Sequence, residues 1–159
     1  MSEGIVYPGP KPLVEERRIT RSREETVAFG RAFGSKLDSG VILALVGPLG
    51  AGKTTLVQGI GEGLEVQEAI TSPAFNYLLE YKGRLPFYHA DLYRIEDARQ
   101  FPALGLDEYF DREGVLVIEW AERIADILPP RTITLYLNPL TNHDEREIII
   151  CLGPPHAVK

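Results

Sequence analysis

Val41-Ile42-Leu43-Ala44-Leu45-Val46 runs directly into Gly47-Pro48-Leu49-Gly50-Ala51-Gly52-Lys53-Thr54. The first six residues are all apolar, which is typical of a strand buried on both faces of a sheet. The next eight fit the pattern G-x-x-x-x-G-K-[ST]. A helix is predicted from Lys53 to about Leu64. This order of strand, loop and helix is typical of an α/β fold.

The loop 47–54 has the composition of a phosphate-binding loop. Glycines let the backbone curl so that several N–H groups face one anion, and the helix start adds its positive dipole end. Lys53 can reach β- and γ-phosphates, the Thr54 hydroxyl can sit on Mg²⁺, and Thr55 can touch an α-phosphate. The residues between the first glycine and the lysine would line the nucleotide: Pro48, Leu49, Gly50, Ala51 and Gly52. The loop therefore predicts binding of ATP or ADP with Mg²⁺.

Such a loop needs a carboxylate near the metal, at the end of a neighbouring buried strand. Glu119 follows the apolar run 115–118 and fits this role as metal ligand and catalytic residue. Asp91 ends the run 87–91 and is the second catalytic candidate, with metal contact, water positioning or a switch contact open to it. His89 is two residues earlier and shares the strand face of Asp91. A lone histidine there is more typical of a core residue than of a catalyst.

Two further patterns bear on the nucleotide. Thr71 and Ser72 follow the predicted loop helix, where nucleotide-dependent proteins place a segment that senses the γ-phosphate. The guanine-reading pattern N-K-x-D is absent from the sequence. Asp111-Arg112-Glu113-Gly114 spells D-x-x-G but precedes its strand, so it is interpreted as a turn. Adenine is favoured over guanine.

Composition bounds the class of protein. The 159 residues are 44% hydrophobic and carry a formal charge of −6. They predict one domain over residues 14–153, with a flexible leader 1–13 and a flexible tail 154–159. The acidic balance argues against a free-standing nucleic-acid binder. One cysteine, no secretory signal and no membrane-spanning stretch predict a cytoplasmic protein, with Cys151 as a buried strand thiol.

The remaining elements are predicted from periodicity and from turn residues. Ser22 and Glu25 form a capping-box pattern ahead of a helix to about Leu37. Proline 102 should break a helical stretch over 96–110. Strands are also expected at 15–20 and 115–118, as a hairpin at 75–81 and 85–93, and as a final pair at 132–137 and 147–152, and a short helix is expected at 121–128. Interleaved strands and helices predict a three-layer α/β sandwich, a P-loop NTPase with a mixed, mostly parallel sheet.

Several segments together resemble the TsaE (YjeE) family, the P-loop ATPase of bacterial tRNA threonylcarbamoyladenosine biosynthesis. The likeness runs in order along most of the chain. It is carried by residues 50–56, Thr71-Ser72-Pro73, residues 88–94, Gly105 with Tyr109-Phe110, residues 118–122, Leu128-Pro129 and Arg146. The loop alone is generic, whereas Asp91-Leu92-Tyr93-Arg94 and Ile118-Glu119-Trp120 are specific to this family.

The resemblance implies a function and a set of partners. Family members bind and hydrolyse ATP weakly alone and work with two sugar-kinase-fold proteins, of the TsaB and TsaD type. Hydrolysis resets that complex between cycles of tRNA modification, and tRNA is met only indirectly. Carried onto this sequence, Lys53 and Thr54 hold phosphate and Mg²⁺, Glu119 contacts the metal and Asp91 lies at the nucleotide. Trp120, Ala121 and Glu122 border the nucleotide, and Arg23 and Arg146 flank the base.

Three positions depart from the family pattern. Pro48 replaces an acid, Ala74 replaces a threonine of the switch segment, and Arg99-Gln100 replaces paired glutamates. The first should be harmless because that side chain points away from the phosphates. The second removes one switch hydroxyl, and the third could alter docking to partners.

Two other functions stay open at this point. A small-molecule P-loop kinase would need a lid with paired arginines, but Arg94, Arg99 and Arg112 are scattered along the sequence. A non-catalytic nucleotide switch would bind without turnover, against which Glu119 and Asp91 argue. ATP turnover and a phosphoacceptor screen separate the three functions.

Overall fold

A computed structural model describes residues 14–73, 75–142 and 144–156 of the chain. The predicted leader 1–13, the switch position Ala74 and the last three residues of the predicted tail lie outside the described residues. Within the tail, Pro155 is buried. No helix among the described residues has the length and apolar character that crossing a bilayer requires.

Seven strands and three α-helices make up the described chain. The strands are β1 (Val14–Thr20), β2 (Val41–Val46), β3 (Leu78–Lys82), β4 (Pro86–Asp91), β5 (Val115–Glu119), β6 (Ile133–Pro139) and β7 (Arg146–Leu152). The helices are α1 (Arg23–Ser35), α2 (Lys53–Gly63) and α3 (Gln100–Ala103). Two 3₁₀ segments, Leu106–Asp111 and Ala121–Ile127, complete the set.

The strands form one sheet in the order β1-β7-β6-β2-β5-β4-β3. The four central strands, β6, β2, β5 and β4, are parallel to one another. The outer pairs β1–β7, β7–β6 and β4–β3 are antiparallel. The predicted mixed sheet is confirmed, with parallel pairing confined to its centre. The carboxyl ends of β2, β4 and β5 therefore meet at one edge.

Helices cover the sheet on both faces, which confirms the three-layer sandwich. Helices α1 and α2 lie on one face, where Leu56, Ile60 and Phe87 are fully buried. The short helix and the 3₁₀ segments lie on the other face, over Ile118 and Phe101. Strand β2 contributes apolar side chains to both layers, because successive residues of a strand point to opposite faces of the sheet. Cys151 is buried in β7, as predicted.

Helices α1 and α2 approach each other through glycines. A Cβ on Gly34 would lie 2.4 Å from the Ile60 carbonyl oxygen, and one on Gly59 would lie 2.4 Å from the Val27 carbonyl oxygen. Both distances are too short for non-bonded carbon and oxygen atoms. Only glycine therefore permits this packing, which fixes α2 against α1. Ser22 caps α1 by accepting the Glu25 N–H at 3.1 Å, as predicted.

The predicted helical stretch over 96–110 is largely wrong. Only α3, four residues long, is α-helical, and the break falls at Gly105 rather than at Pro102. Pro102 lies in the first turn of α3, where its missing N–H leaves no helical bond unmade. Gly105 takes φ +76°, a left-handed conformation that ends α3 and starts the 3₁₀ segment. The Gln100 amide oxygen accepts the N–H groups just ahead of α3, so this region is a local turn.

Smaller differences concern the ends of elements. The first strand of the predicted hairpin starts at Leu78 rather than Phe75, although its antiparallel pairing with β4 is confirmed. The predicted helix over 121–128 is a 3₁₀ segment with a non-helical residue, Ile124, inside it. Strand β5 extends one residue further than predicted and includes Glu119. That extension places the carboxylate on the sheet itself.

Candidate functional site at the end of the parallel strands

The glycine-rich loop joins β2 to α2 at the edge where the parallel strands end. Gly50 and Gly52 have φ values of +79° and +95°, which only glycine adopts without strain. Gly52 is the residue that precedes α2, and it has no side chain to cover the first amides of the helix. The loop therefore presents backbone N–H groups and the positive end of the α2 dipole to the same space.

The Lys53 side chain folds back over the loop that precedes it. Its Nζ donates to the carbonyl oxygens of Gly47, at 2.5 Å, and Pro48, at 3.0 Å. The same ammonium lies 3.9 Å from the ring centroid of Trp120. Burial lowers the pKa of Lys53, and the nearby carboxylates of Glu119, Glu122 and Asp91 oppose that shift. Lys53 is thus a buried cation held by weak acceptors, which phosphate oxygens could replace.

Thr54 and Glu119 are joined by a hydrogen bond across the loop edge. The Thr54 hydroxyl lies 3.1 Å from Oε1 and 3.2 Å from Oε2 of Glu119. Glu119 is the last residue of β5 and lies opposite Leu45 of β2 in the parallel register. A hydroxyl and a carboxylate are hard oxygen donors of the type Mg²⁺ prefers. This donor set fits the predicted magnesium site.

Asp91 lies beside Glu119, one strand further along the sheet. The two residues are partners in the register of β4 and β5. An oxygen of the Asp91 carboxylate accepts the Tyr93 N–H at 2.9 Å. Burial raises the pKa of Asp91, Glu119 adds to the rise, and the Tyr93 N–H opposes it. The predicted pair of acids is therefore brought together at the loop.

His89 contacts Glu119 directly. Its Nε2 lies 2.6 Å from Oε2 of Glu119, and the His89 and Glu119 side chains are 0% and 3% exposed. The interpretation of His89 as a core residue accounts for its burial. It does not account for this contact, which required knowledge of how β4 and β5 pair.

A cavity of about 420 Å³ opens above the loop. Its lining includes most of the predicted nucleotide residues, the two acids and the switch residue Ser72. The lining residues are Leu49, Gly50, Ala51, Gly52, Lys53, Thr54, Thr55, Ser72, Asp91, Tyr93, Glu119, Trp120 and Arg146. One concave space thus collects loop amides, a cation, a hydroxyl and two carboxylates.

A smaller cavity of about 170 Å³ adjoins the start of α2. Arg23 and Arg146, predicted to flank the base, both line it, together with Gly52 and Thr55. Arg23 also donates to the Gln58 amide oxygen at 2.9 Å. The structure therefore brings together two arginines that are 123 positions apart, beside the loop end at which Thr55 lies.

Five predicted residues do not line the larger cavity; one of them, Arg23, lines the smaller one. Pro48 contributes its carbonyl to Lys53 rather than a side chain. Ala121 is fully buried in the core. Glu122 acts on Lys53 only through its charge. Thr71 donates its N–H to the Tyr81 hydroxyl at 3.3 Å.

Trp120 lies on the Lys53 side of the loop. Its backbone is left-handed, with φ 59°, which is unusual for a non-glycine residue and turns the chain directly after Glu119. The ring packs on Tyr93, with centroids 5.1 Å apart, and over the Lys53 ammonium. The cavity lined by Arg23 and Arg146 does not include it. Trp120 therefore lies beside the Lys53 ammonium, outside the cavity that Arg23 and Arg146 line.

Three residues at the site were not singled out from the sequence. Tyr93 lines the larger cavity, and Asp144 lines the arginine cavity. The Arg123 guanidinium lies 5.5 Å from the Trp120 ring centroid and donates to the Ile95 carbonyl at 2.8 Å. Tyr93 could have been found, because it follows Asp91 within a specific segment. Asp144 and Arg123 carry no comparable signal.

The three arginines considered for a kinase lid are spread over the surface. Arg99 pairs with Asp97 at 2.6 Å, and Arg112 pairs with Glu108 at 2.5 Å. Arg94 lies over the Phe75 ring, 4.9 Å from its centroid. None of the three lines the 420 Å³ cavity. Their positions give no support to an arginine-rich lid.

A buried parallel strand, a glycine-rich loop and a helix, with acids at the ends of adjacent strands, define the P-loop class of α/β folds. The sequence profile described as "Threonylcarbamoyl adenosine biosynthesis protein TsaE" matches residues 20–148. The chain belongs to this TsaE family of tRNA threonylcarbamoyladenosine biosynthesis.

Individual relatives agree with the family match. The TsaE protein of Treponema pallidum (strain Nichols) is 42% identical over 134 residues, which cover 84% of this chain and 98% of that protein. The TsaE protein of Bacillus subtilis (strain 168) is 42% identical over 130 residues, covering 81% and 80%. The crystal structure of YdiB from Bacillus subtilis superposes with a TM-score of 0.73 at 38% identity and covers 90% of each chain.

Proposed function

We propose that this chain binds Mg²⁺–ATP on the loop 47–54 and hydrolyses it, as the ATPase component of the tRNA threonylcarbamoyladenosine machinery. The observation that carries the proposal is the contact between Thr54 and Glu119 beside Lys53. A P-loop enzyme needs these three groups together: a cation for phosphate, a hydroxyl for the metal and a carboxylate for the metal's water.

The side chains and backbone amides at the loop fit both the phosphates of ATP and the Mg²⁺ ion that the proposal requires. Loop amides and Lys53 supply donors for the phosphates, and Thr54 with Glu119 supplies oxygen donors for the metal. Bound Mg²⁺ would neutralise charge that develops on the phosphate oxygens. Among the described residues no group of three or more His, Cys, Asp or Glu side chains could hold a metal. This agrees with a metal held mainly by phosphate oxygens and water.

Each residue then has a chemical role in hydrolysis. Lys53 exchanges the Gly47 and Pro48 carbonyls for phosphate oxygens. Glu119 accepts a hydrogen bond from the Thr54 hydroxyl and would orient water next to the phosphates. Asp91 lies one strand away from Glu119, and burial raises its pKa. Its carboxylate could accept a hydrogen bond from the same water that Glu119 orients. Arg23 and Arg146 provide planar cations against which an adenine ring could stack.

Partners are expected to complete the site. None of the arginines discussed for a lid lines the 420 Å³ cavity, and the cationic side chains among its lining residues are Lys53 and Arg146. A group supplied in trans is worth about 10³–10⁵ in the rate of P-loop enzymes. The charge of −6 favours a basic partner surface over bare tRNA. We therefore assign the two sugar-kinase-fold proteins of the pathway as activating partners.

The test is steady-state ATPase of the chain with Mg²⁺ or with EDTA, alone and with the reconstituted pair of partners. The proposal expects slow, Mg²⁺-dependent ADP release alone and clear stimulation by the pair. The same samples are offered small-molecule phosphoacceptors, with transfer scored by mass spectrometry. Phosphate transfer to an acceptor without partner stimulation would favour a kinase, and nucleotide binding without turnover in any mixture would favour a switch.

A further inference from the structure

The Glu119 carboxylate is held from two sides. The Thr54 hydroxyl of α2 reaches both of its oxygens, and the His89 Nε2 of β4 reaches Oε2. His89 lies opposite Val117 in the register of β4 and β5, two residues before Glu119. Its ring therefore reaches the carboxylate from the neighbouring strand. The three side chains belong to three different elements and meet at one carboxylate.

The direction of the His89 hydrogen bond follows from its partner. An ionised carboxylate can only accept, so Nε2 carries the proton and donates to Oε2. The other ring nitrogen, Nδ1, is buried and has no hydrogen-bond partner among the described residues. A purely apolar side chain would fill this position without burying an unpartnered nitrogen. The position thus contains a polar ring whose one hydrogen bond goes to Glu119.

Burial makes this contact effective. His89 is 0% exposed and Glu119 is 3% exposed, so the contact between Nε2 and Oε2 is shielded from bulk solvent. If the donor were lost, Oε2 would keep only the longer 3.2 Å contact to the Thr54 hydroxyl. The carboxylate could then rotate, and both of its oxygens would compete for the hydroxyl that the metal needs.

We propose that His89 is a positioning residue for Glu119. It fixes Oε2, and it leaves Oε1 with the Thr54 hydroxyl, directed at the metal and its water. The inference rests on the proposed ATPase function and deepens it. The alternative is that His89 only fills space in the core, in which case the chemistry of its ring nitrogens is irrelevant.

The test compares two variants of His89 that differ in whether they can donate a hydrogen bond to Glu119. In His89→Gln the amide N–H reaches about as far as the imidazole Nε2, so the donor to Glu119 is retained. His89→Met has a similar length and no donor. A third variant, Phe87→Leu, truncates a fully buried side chain on the same strand face and leaves the Glu119 contacts untouched. It controls for loss of packing in β4.

Two measurements are made on each folded variant. One is ATPase, as kcat and KM for ATP. The other is the affinity for a non-hydrolysable ATP analogue with and without Mg²⁺, followed by Trp120 fluorescence. We expect His89→Met to lower kcat or the Mg²⁺ enhancement of affinity by about 10- to 100-fold, the usual cost of losing a group that orients a metal ligand. Affinity without Mg²⁺ and KM should change less than threefold. His89→Gln should restore most of the loss, and Phe87→Leu should lower only the Tm.

The outcomes separate this inference from the proposed function. Wild-type protein without Mg²⁺-dependent ATPase, even with partners, would remove the proposed function. Active wild type with equal kcat and equal Mg²⁺ enhancement in His89→Gln and His89→Met would overturn the positioning role alone. The positioning role would also be overturned if His89→Gln and His89→Met lost activity in proportion to their loss of Tm and Phe87→Leu followed the same proportion. Should His89→Met not fold, His89→Asn, whose amide is too short to reach Glu119, takes its place in the comparison.

Discussion

The hydroxyl of Thr54 lies 3.1 Å and 3.2 Å from the two carboxylate oxygens of Glu119, although 65 positions separate the two residues in the chain. The parallel pairing of β2 with β5 produces this contact. It brings the first turn of α2 against the end of the neighbouring strand.

Lys53→Ala should abolish productive ATP binding. Removing one partner of a buried charge contact costs on the order of 2–5 kcal/mol, which is roughly a 30- to 5,000-fold loss of affinity. Isothermal titration of ATP with Mg²⁺ measures the loss. Lys82→Ala, at an exposed lysine of β3, is the matched control. Near-normal ATP affinity in folded Lys53→Ala would remove the loop from the proposed site.

Trp120 should report on nucleotide through its contact with Lys53. Because the ammonium lies 3.9 Å from the ring centroid, moving it onto phosphate oxygens changes the surroundings of the only tryptophan in the chain. Fluorescence should change on adding ATP or ADP and much less on adding GTP at equal concentration. Because ATP and ADP differ in the phosphates that Lys53 is proposed to bind, the two nucleotides should give different signals. An unchanged spectrum at saturating ATP would contradict this placement.

Gly34→Ala should destabilise the fold far more than Gly61→Ala. Both glycines lie in helices, but a Cβ on Gly34 meets the Ile60 backbone at 2.4 Å, whereas one on Gly61 meets the tip of the Ile70 side chain, which can move. Overpacking that a side chain cannot relieve costs about 1–3 kcal/mol. Urea unfolding followed by circular dichroism measures the difference. Equal midpoints for the two variants would contradict the close packing of α1 on α2.

Glu122→Gln should stabilise the protein at neutral pH. Burial raises the pKa of Glu122, while Lys53 and Arg123 oppose the rise. A carboxyl whose pKa is higher in the folded state binds more protons there, so its contribution to stability is present at acid pH and is lost as the pH rises through the folded pKa. The amide does not titrate. The Tm of Glu122→Gln should therefore exceed that of wild type at pH 7, and the gap should close below about pH 4. A gap that widened with acid would reverse the sign and contradict the assignment.

The parts of the site that lie close together in sequence were predictable. The loop 47–54 dictates its own conformation through its glycines, and the apolar run 115–118 marks Glu119 as an unusual acid. The contact of Glu119 with Thr54 is expected once β2 and β5 are neighbours in a parallel sheet. The fold class and the family were likewise accessible, because the specific segments around Asp91 and Trp120 are short and continuous.

Features that depend on tertiary packing were not predictable. The sequence pattern predicts His89 to be a core residue, and only the pairing of β4 with β5 brings its Nε2 to the Glu119 carboxylate. Trp120 was expected to border the nucleotide, and its left-handed backbone, which turns the ring to Lys53, could not be anticipated. The stretch 96–110 has helical composition, yet Gly105 and local side-chain bonds to the backbone divide it into short turns. In each case a contact made by the fold overrides a local preference.

The most direct test of the proposed function is tRNA modification over many cycles by the reconstituted partner pair with Glu119→Gln in place of wild type. The amide keeps the shape of the side chain and can still accept from Thr54 and His89, so ATP should bind with near-normal affinity. It has lost the charge that places the metal and its water. We predict that wild type supports many rounds of modification and that Glu119→Gln stops after about one product per complex. Equal multi-cycle modification by wild type, by Glu119→Gln and by the pair alone would contradict the proposed role of this chain.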